Sequence, residues 1–188
     1  MSELEDQLGQ VDIYLFDQLL RKRIAPGMRV LDAGCGSGRN LVYLLKQGYE
    51  VFGADSDRIS IQAVQRDAWA DVVLSCAVLH FAKDDAHFTA MLRGTWRVLK
   101  PGGLMFCRLA SSIGMEERVR SVAGRRCRLP DGTERYLVDA ALLIELTRDL
   151  GGTLLDPLKT TIVQDQRSMT TWVLRKAAPS GAGETEPR

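Results

Sequence analysis

Short apolar runs and regularly spaced apolar residues alternate along this chain. Runs predict strands, and apolar residues three or four positions apart predict helices. The runs place strands at 29–33, 49–54, 71–79, 104–109, 153–157 and 169–174. The spaced positions place helices at about 3–24, 39–47, 85–99 and 139–150. This alternation predicts an α/β fold around a parallel sheet.

An arginine-rich segment at 118–136 departs from this alternation. Its arginines surround the turn sequence Pro130-Asp131-Gly132-Thr133, which separates two short strand-like pieces. We therefore expect an inserted hairpin in this segment. Its arginines either bind an anionic group, such as a carboxylate or a phosphate, or form a solvated surface.

A glycine-rich turn follows the first predicted strand. Gly34-Cys35-Gly36-Ser37-Gly38 leads into a helix, so a ligand can approach the main chain and the free N–H groups of the helix N-terminus. A dinucleotide-binding fingerprint would have a third glycine where this chain has Arg39. Asp32 would repel a pyrophosphate but attract a ligand with positive groups. Asp55 ends the next strand, where a carboxylate can accept hydrogen bonds from both hydroxyls of a ribose.

These motifs and their order resemble class I S-adenosylmethionine-dependent methyltransferases. Val30-Leu31-Asp32-Ala33-Gly34-Cys35-Gly36-Ser37-Gly38 resembles their glycine motif, and Asp55 resembles their ribose-binding acid. Ala70-Asp71-Val72-Val73 resembles their fourth strand, and Leu99-Lys100-Pro101-Gly102-Gly103 resembles the turn before their fifth. Gly38-Arg39-Asn40 also resembles the small tellurite-resistance type and related bacterial methyltransferases.

The resemblance implies a Rossmann-like, doubly wound and mostly parallel sheet with helices on both faces. It implies a single methyltransferase domain over 1–176, with a lid helix at about 3–24 and a core at about 28–176. The remaining residues, 177–188, are rich in Ala, Gly, Pro and Glu and are expected to form a disordered tail.

The segment 56–70 is shorter than its counterpart in the family. It has room for one helix but not for a helix and a third strand, so we expect a sheet shortened between its second and fourth strands. Either the chain crosses directly to the fourth strand, or residues are missing from this segment. Asp67, Ala68 and Trp69 are the candidates left to line an adenine pocket.

The resemblance also assigns individual residues to the cofactor and to the acceptor. The cofactor contacts are expected at Asp32, Ala33, Gly34, Cys35, Gly36, Gly38, Arg39, Asn40, Asp55, Ser56, Ser75, Cys76 and Ala77. The acceptor contacts are expected at Tyr14, His80 and Arg108. Arg39 and Asn40 either reach the cofactor carboxylate or only line the first helical turn. His80 is the candidate catalytic residue: it acts as a general base, orients the acceptor, or packs structurally.

Composition and charge exclude several classes of protein and function. Apolar residues at 45% and charged residues at 26% exclude a disordered or fibrous chain. The balance of 25 basic and 24 acidic residues predicts no nucleic-acid capture by the whole surface. No apolar stretch is long enough to span a membrane, and the acidic N-terminus and separated cysteines predict a cytoplasmic chain with reduced thiols and no metal site.

The sequence thus predicts an enzyme that transfers a methyl group from S-adenosylmethionine to a small-molecule acceptor, with S-adenosylhomocysteine as product. An alternative is a non-catalytic protein that keeps the fold and binds S-adenosylmethionine or a partner. A lower-ranked alternative is an NAD-dependent oxidoreductase, against which Asp32 and Arg39 argue.

Overall fold

The structure, a computed structural model, describes residues 7–55 and 68–178. Their strands are β1 (Arg29–Ala33), β2 (Glu50–Ala54), β3 (Ala70–Cys76), β4 (Leu99–Ser111), β5 (Arg120–Ala123), β6 (Arg126–Arg128), β7 (Glu134–Tyr136), β8 (Gly152–Leu154), β9 (Lys159–Val163) and β10 (Arg167–Lys176). Their helices are α1 (Ile13–Leu20), α2 (Leu41–Lys46), α3 (Asp85–Val98) and α4 (Ala140–Asp149), with a 3-10 turn at Leu79–Phe81.

The main sheet has the strand order β2-β1-β3-β4-β10-β8, and β9 pairs with the same edge of β10 as β8 does. β1 to β4 are parallel, whereas β10 runs antiparallel to each of its neighbours. The predicted Rossmann-like sheet is confirmed, but as a mixed sheet: among its described strands three pairings are parallel and three are antiparallel. Among the described residues β2 forms one edge of the sheet, and the helix expected after it falls on 56–67, outside the described residues.

Helices cover both faces of this sheet. Side chains alternate along a strand, so Val73 of β3 packs in one apolar cluster with α3 and α4, whereas Val72 and Leu74 pack in another with α1 and α2. Both faces of β3 are therefore buried, which explains its continuous apolar sequence. The parallel strands β1 to β4 end at one common edge, where loops can form a ligand site.

The N-terminal helix differs from the predicted lid helix over 3–24. Residues 7–8 are helical, the chain turns at Gly9 (φ +61°), and α1 starts only after Asp12. Asp12 caps α1 because its carboxylate accepts a hydrogen bond from the Tyr14 N–H at 2.9 Å. This local bond starts a new helix, so the spaced leucines belong to two helical pieces rather than one.

Two strand predictions also need correction. β4 begins at Leu99, where the sequence predicted a turn, because the Lys-Pro-Gly-Gly segment is accommodated by a register shift against β3. β9 was not predicted, since it begins with three consecutive polar residues and none of its residues is fully buried. The tail prediction concerns residues that are described only up to 178. No helix in the described ranges is long and apolar enough to cross a membrane.

The arginine-rich segment forms a small antiparallel sheet, β5-β6-β7, which we call the flap (118–136). The predicted hairpin is its β6–β7 pair, closed by the Leu129 N–H donating to the Thr133 carbonyl at 2.8 Å. The flap has one strand more than predicted. It lies beside the carboxyl ends of β3 and β4, since β7 contacts both β4 and the 3-10 turn.

Candidate functional site

The glycine turn after β1 is fixed against the end of β2. The N–H groups of Gly34 and Cys35 donate to the Ala54 carbonyl at 2.6 and 3.1 Å. Gly34 has φ +91°, and a Cβ there would lie 2.2 Å from Cγ2 of Val78. Only glycine fits this position, because it combines a left-handed conformation with a close side-chain neighbour. The Gly36 N–H donates to the Asp55 carboxylate at 2.7 Å, so Asp55 is tied to the same turn.

Asp32 is a buried carboxylate directly before this turn. Only 1% of it is exposed, the Asn40 amide donates to it, and its Oδ1 has no hydrogen-bond partner among the described residues. Burial raises the pKa of Asp32 to about 6, against the lowering influence of Asn40 and Arg39. A buried carboxylate with an unsatisfied oxygen is costly for a protein, and a positively charged ligand group would offset that cost.

The first cavity, of about 610 Å³, lies at the ends of β1, β2 and β3 and along α3. This volume suits a nucleoside-sized ligand. It is lined by Ala33, Gly34, Ala54, Asp55, Ser75, Ala77, Val78, Leu79, Phe81, His87, Ala90, Met91, Gly94 and Thr95. The lining is mostly apolar, and Asp55 is its one carboxylate among the described residues. The cavity therefore combines a hydrophobic surface with a single strong acceptor at the end of β2.

A second cavity, of about 360 Å³, adjoins the first, and Ala77 and Phe81 line both. It lies between the end of β4, the flap and β10. Its lining is Arg39, Ala77, His80, Phe81, Arg108, Ala110, Leu129, Asp131, Thr133, Arg135, Val163, Arg167 and Met169. Four arginines and one aspartate give this lining a positive charge, in contrast with the first cavity.

His80 is buried in the wall of the second cavity. Its Nδ1 accepts a hydrogen bond from the Ala110 N–H at 3.1 Å. Burial, and then the positive charge of Arg135, lower the pKa of His80 to about 4, so the ring is neutral at neutral pH. Because Nδ1 accepts, the proton of the neutral ring lies on Nε2. His80 therefore has one N–H donor, at Nε2, and the residue lines the second cavity.

A hydrogen-bond network joins the glycine turn to the second cavity. The Asp12 N–H donates to Asn40 Oδ1 at 3.1 Å, and Asn40 in turn donates to Asp32. The Asp12 carboxylate accepts from Nη1 of Arg108 at 2.9 Å. Arg108 also lies 5.3 Å above the ring of Tyr14. The start of α1 thus connects the acid beneath the glycine turn with an arginine of the second cavity.

Apart from Cys76, Tyr14 and Ser56, the residues expected from the sequence fall into three groups. Those lining the first cavity are Ala33, Gly34, Asp55, Ser75 and Ala77. Those lining the second are Arg39, Ala77, His80 and Arg108. Those that form or support the glycine turn are Asp32, Cys35, Gly36, Gly38 and Asn40. Cys76 is buried in the core on the α1 and α2 face, and Tyr14 lies beneath Arg108 and is absent from the described lining of both cavities.

The adenine candidates were only partly placed by the structure. Trp69 is 92% buried by its neighbours and packs edge-on against Phe52, with ring centroids 4.7 Å apart, so it belongs to the core. Ala68 is exposed with φ +50°. Ser56 and Asp67 lie outside the described residues. The described residues include no group of histidine, cysteine, aspartate and glutamate that could hold a metal ion.

Sequence reasoning missed one whole wall of the first cavity. That wall is a face of α3 formed by His87, Ala90, Met91, Gly94 and Thr95. These residues follow helical spacing, on a different side from the buried stripe of Phe88, Leu92 and Trp96. A second set of small or polar residues at helical spacing was the available signal. Arg167 and Met169 of β10 were also missed, because only the folded sheet brings them to the second cavity.

Comparison with known proteins supports the same interpretation. A family model described as a methyltransferase domain matches residues 10–155. An uncharacterized methyltransferase of Synechocystis sp. is 32% identical over 99 residues, which cover 43% of this chain and 46% of that protein. The chain spans less than half the length of the curated relatives that it matches.

Solved structures of the same fold include an enzyme with a bound ligand pair. Burkholderia thailandensis 1,6-didemethyltoxoflavin-N1-methyltransferase, solved with 1,6-didemethyltoxoflavin and S-adenosylhomocysteine, has a TM-score of 0.66 at 18% identity, over 90% of this chain and 80% of that chain. A [4+2]-cyclase has a TM-score of 0.61 at 17% identity, over 88% of this chain and 81% of that chain. At these identities the structural matches show a shared fold. The family model, in contrast, covers most of the sequence, and the chain belongs to the methyltransferase domain family.

Proposed function

We propose that this protein binds S-adenosylmethionine in the first cavity and transfers its methyl group to a small molecule in the second. The observation that carries the proposal is Asp32, a buried carboxylate with an unpartnered oxygen directly before the glycine turn. The ammonium group of a methionine moiety is the kind of ligand group that this oxygen lacks. S-adenosylhomocysteine would remain as the product.

The residues present fit this cofactor at the first cavity and at the glycine turn beside it. Asp32 would bear on the ammonium group, and Asp55, at the end of β2, would accept hydrogen bonds from the ribose hydroxyls. Asp55 is positioned for this by the Gly36 N–H at 2.7 Å. The backbone of the glycine turn would lie against the methionine moiety, and Ser75 and Ala77 would line the cavity floor beside it.

S-adenosylmethionine supplies, when bound, a methyl group on a positively charged sulfur that is already activated for in-line displacement. The chain's own contribution is then to position the acceptor and exclude water. Of the roles that the sequence left open for His80, orientation of the acceptor agrees with its Nε2–H donor. Ala77 and Phe81 border both cavities, so an acceptor in the second cavity would adjoin a cofactor in the first.

The two alternatives fit these features less well. A nicotinamide dinucleotide brings a pyrophosphate to the glycine turn, where the buried charge of Asp32 would repel it. A protein that only binds the cofactor needs no second cavity beside it, whereas this chain has one of about 360 Å³. A location in the cytoplasm stays a prediction, with which the four free cysteines agree.

The test is isothermal titration of the chain with four compounds: S-adenosylmethionine, S-adenosylhomocysteine, 5′-methylthioadenosine and NADH. We expect the first two to bind and NADH not to bind. 5′-Methylthioadenosine lacks the amino-acid part, so it should bind about ten-fold or more weakly than S-adenosylhomocysteine. Binding of NADH alone would overturn the cofactor assignment, and equal binding of the two thioethers would overturn the role of Asp32.

Transfer itself is measured with methyl-labelled S-adenosylmethionine and a panel of small acceptors. Labelled product that depends on the acceptor and on the chain would support methyl transfer. Cofactor binding without transfer to any member of a broad panel would favour the non-catalytic alternative.

A further inference from the structure

The second cavity brings together arginines from separate parts of the fold. Arg108 comes from β4, Arg135 from β7 of the flap and Arg167 from β10. Arg39 directly follows the glycine turn, and its charge interacts with the Asp32 carboxylate, which belongs to the cofactor side of the site. The other three arginines line walls that belong to the second cavity alone.

These three arginines retain donors that the chain itself does not satisfy. Within the residues described, Arg135 and Arg167 have no carboxylate oxygen within 4.0 Å. Arg108 has an ion pair with Asp12 through Nη1, but its Nε is buried without a partner. The one carboxylate in the lining, Asp131, accepts hydrogen bonds from the Thr133 hydroxyl and N–H at 2.6 and 2.9 Å. The charges of Arg135 and Arg167 help to lower the pKa of Asp131, so this carboxylate offsets part of the positive charge. One carboxylate against four arginines, of which Arg108 is paired with Asp12, leaves the lining with a net positive charge.

Other arginines of the flap form ion pairs with carboxylates. Arg125 pairs with Asp139 at 2.8 Å. Arg126 and Arg128 both pair with Glu134, at 3.1 and 2.8 Å. These paired arginines are absent from the described lining of the second cavity, whereas Arg135, from the same small sheet, lines it. Among the described residues Arg120 has no ion pair either, but it is exposed and lies outside the lining of the second cavity, whereas Arg135 lines that cavity.

The rest of the lining defines the remainder of the ligand. Leu129, Val163 and Met169 provide apolar surface, and the Phe81 ring, 57% exposed, carries the Arg135 guanidinium 4.8 Å from its centroid. His80 adds the Nε2–H donor inferred from its bond to Ala110. Guanidinium groups and an imidazole N–H suit an anion, while aliphatic and aromatic walls suit an apolar body.

We propose that the methyl acceptor is a small molecule with an apolar body and an anionic group, a carboxylate or a phosphate, which Arg135 and Arg167 bind with help from Arg108. This inference rests on the proposed function, because it takes the second cavity as the acceptor site. The anionic group holds the acceptor at the flap and β10 side, and its body extends toward Ala77, where the two cavities meet.

The experiment compares acids with their neutral counterparts on the chain saturated with S-adenosylhomocysteine. The probes are benzoate and benzamide, salicylate and salicylamide, indole-3-acetate and indole-3-acetamide, and phenyl phosphate and phenol, each titrated calorimetrically at low ionic strength. We expect the anion of a pair to bind about ten-fold or more tightly than its neutral counterpart. The carboxylate pairs and the phosphate pair distinguish the two sources of negative charge.

Two charge-matched double variants complete the test. Arg135→Gln with Arg167→Gln should remove the preference for anions. Arg120→Gln with Arg148→Gln should keep it, since both residues are exposed and lie outside the described lining of the second cavity. Anions that bind no better than their neutral counterparts, or a preference that survives in the first variant, would overturn the inference.

The same titrations separate this inference from the proposed function. S-adenosylhomocysteine is titrated first, and its failure to bind would contradict the cofactor proposal alone. The comparison of anions with neutral compounds would then be made on the chain without the cofactor product, where Arg135 and Arg167 still line the second cavity.

Discussion

Asp32 makes the stability of this protein depend on pH in a direction unusual for an aspartate. Burial raises its pKa from 3.8 to about 6 in the folded chain, which corresponds to about 3 kcal/mol. Below about pH 4 the carboxyl is protonated in both the folded and the unfolded chain, and this cost is absent. Between about pH 4 and pH 6 the folded chain binds more protons than the unfolded one. The free energy of unfolding should therefore fall across this interval because of Asp32.

Asp32→Asn tests this reasoning. Asparagine has nearly the same shape, and its carbonyl can still accept the hydrogen bond from Asn40, but it carries no charge. Urea unfolding of both chains from pH 4 to pH 8 gives the difference in the free energy of unfolding. We expect this difference to shift in favour of the variant by about 3 kcal/mol as the pH rises. The cost of burying the asparagine amide does not vary with pH, so it cancels when the differences at two pH values are compared.

The comparison between chains is necessary because His80 acts in the opposite direction. Burial and Arg135 lower the pKa of His80 from 6.5 to about 4, so His80 contributes stability above pH 6.5 that is lost as the pH falls toward 4. Asp71→Asn is the matched control. Burial raises the pKa of Asp71, but bonds from the Arg29 N–H and from Lys100 lower it more, to below its ordinary 3.8. Its pH-dependent contribution to stability is therefore lost only below about pH 4, and its substitution should leave the difference nearly constant from pH 4 to pH 8.

Cofactor affinity provides the second measurement on Asp32→Asn. We expect the variant to bind S-adenosylhomocysteine about ten-fold or more weakly, and 5′-methylthioadenosine about as well as the unchanged chain. A stability difference that does not change with pH would refute the buried, uncompensated charge. Full affinity for S-adenosylhomocysteine would refute the pairing of Asp32 with an ammonium group, whatever the stability data show.

Four other substitutions test the remaining parts of the site. Asp55→Asn should weaken the binding of both S-adenosylhomocysteine and 5′-methylthioadenosine about ten-fold or more in calorimetry. Unchanged affinity would contradict the assignment of Asp55 to the ribose. Gly34→Ala should lower the free energy of unfolding by about 2 kcal/mol or more in urea, because the new Cβ meets Val78 at 2.2 Å. Gly36→Ala, where a Cβ meets open space, should lower the free energy of unfolding by less. An equal loss would show that the left-handed backbone conformation, and not the contact with Val78, determines the cost. His80→Ala should weaken binding of the acceptor, measured as KM or as affinity for the anionic probes, and should leave S-adenosylhomocysteine binding unchanged. Weaker S-adenosylhomocysteine binding would show that His80 acts on the first cavity instead of the second.

The glycine turn and its two acids were predictable because they are local in sequence. A strand, a turn and a helix fix where Asp32 and Gly34 lie, and the following strand returns Asp55 to the same edge. Parallel pairing places Asp32 opposite Gly53, so Asp55 reaches the turn within two residues. The glycine turn and the Asp55 side of the first cavity thus follow from the order of elements along the chain, whereas the α3 wall of that cavity does not.

The second cavity was less predictable because its walls meet only through long-range pairing. β10 lies antiparallel to β4, and this register brings Arg167 and Met169 to the end of β4 that carries Arg108. The position of the proton on the His80 ring depends on the Ala110 N–H of β4, and no local sequence pattern reveals that contact. The short, half-buried strand β9 was missed for a related reason, since pairing with β10 rather than an apolar run makes it a strand.

The second cavity also has consequences for how an acceptor could be activated. Besides arginines, the titratable groups in its described lining are His80 and Asp131. Nδ1 of His80 already accepts a hydrogen bond, and hydrogen bonds from Thr133 lower the pKa of Asp131, so neither is suited to remove a proton. Positive charge from the arginines, however, lowers the pKa of an acidic group held near them. A phenol or thiol on an anionic acceptor would then lose its proton to solvent, and the same arginines that bind the acceptor would help to form its nucleophile.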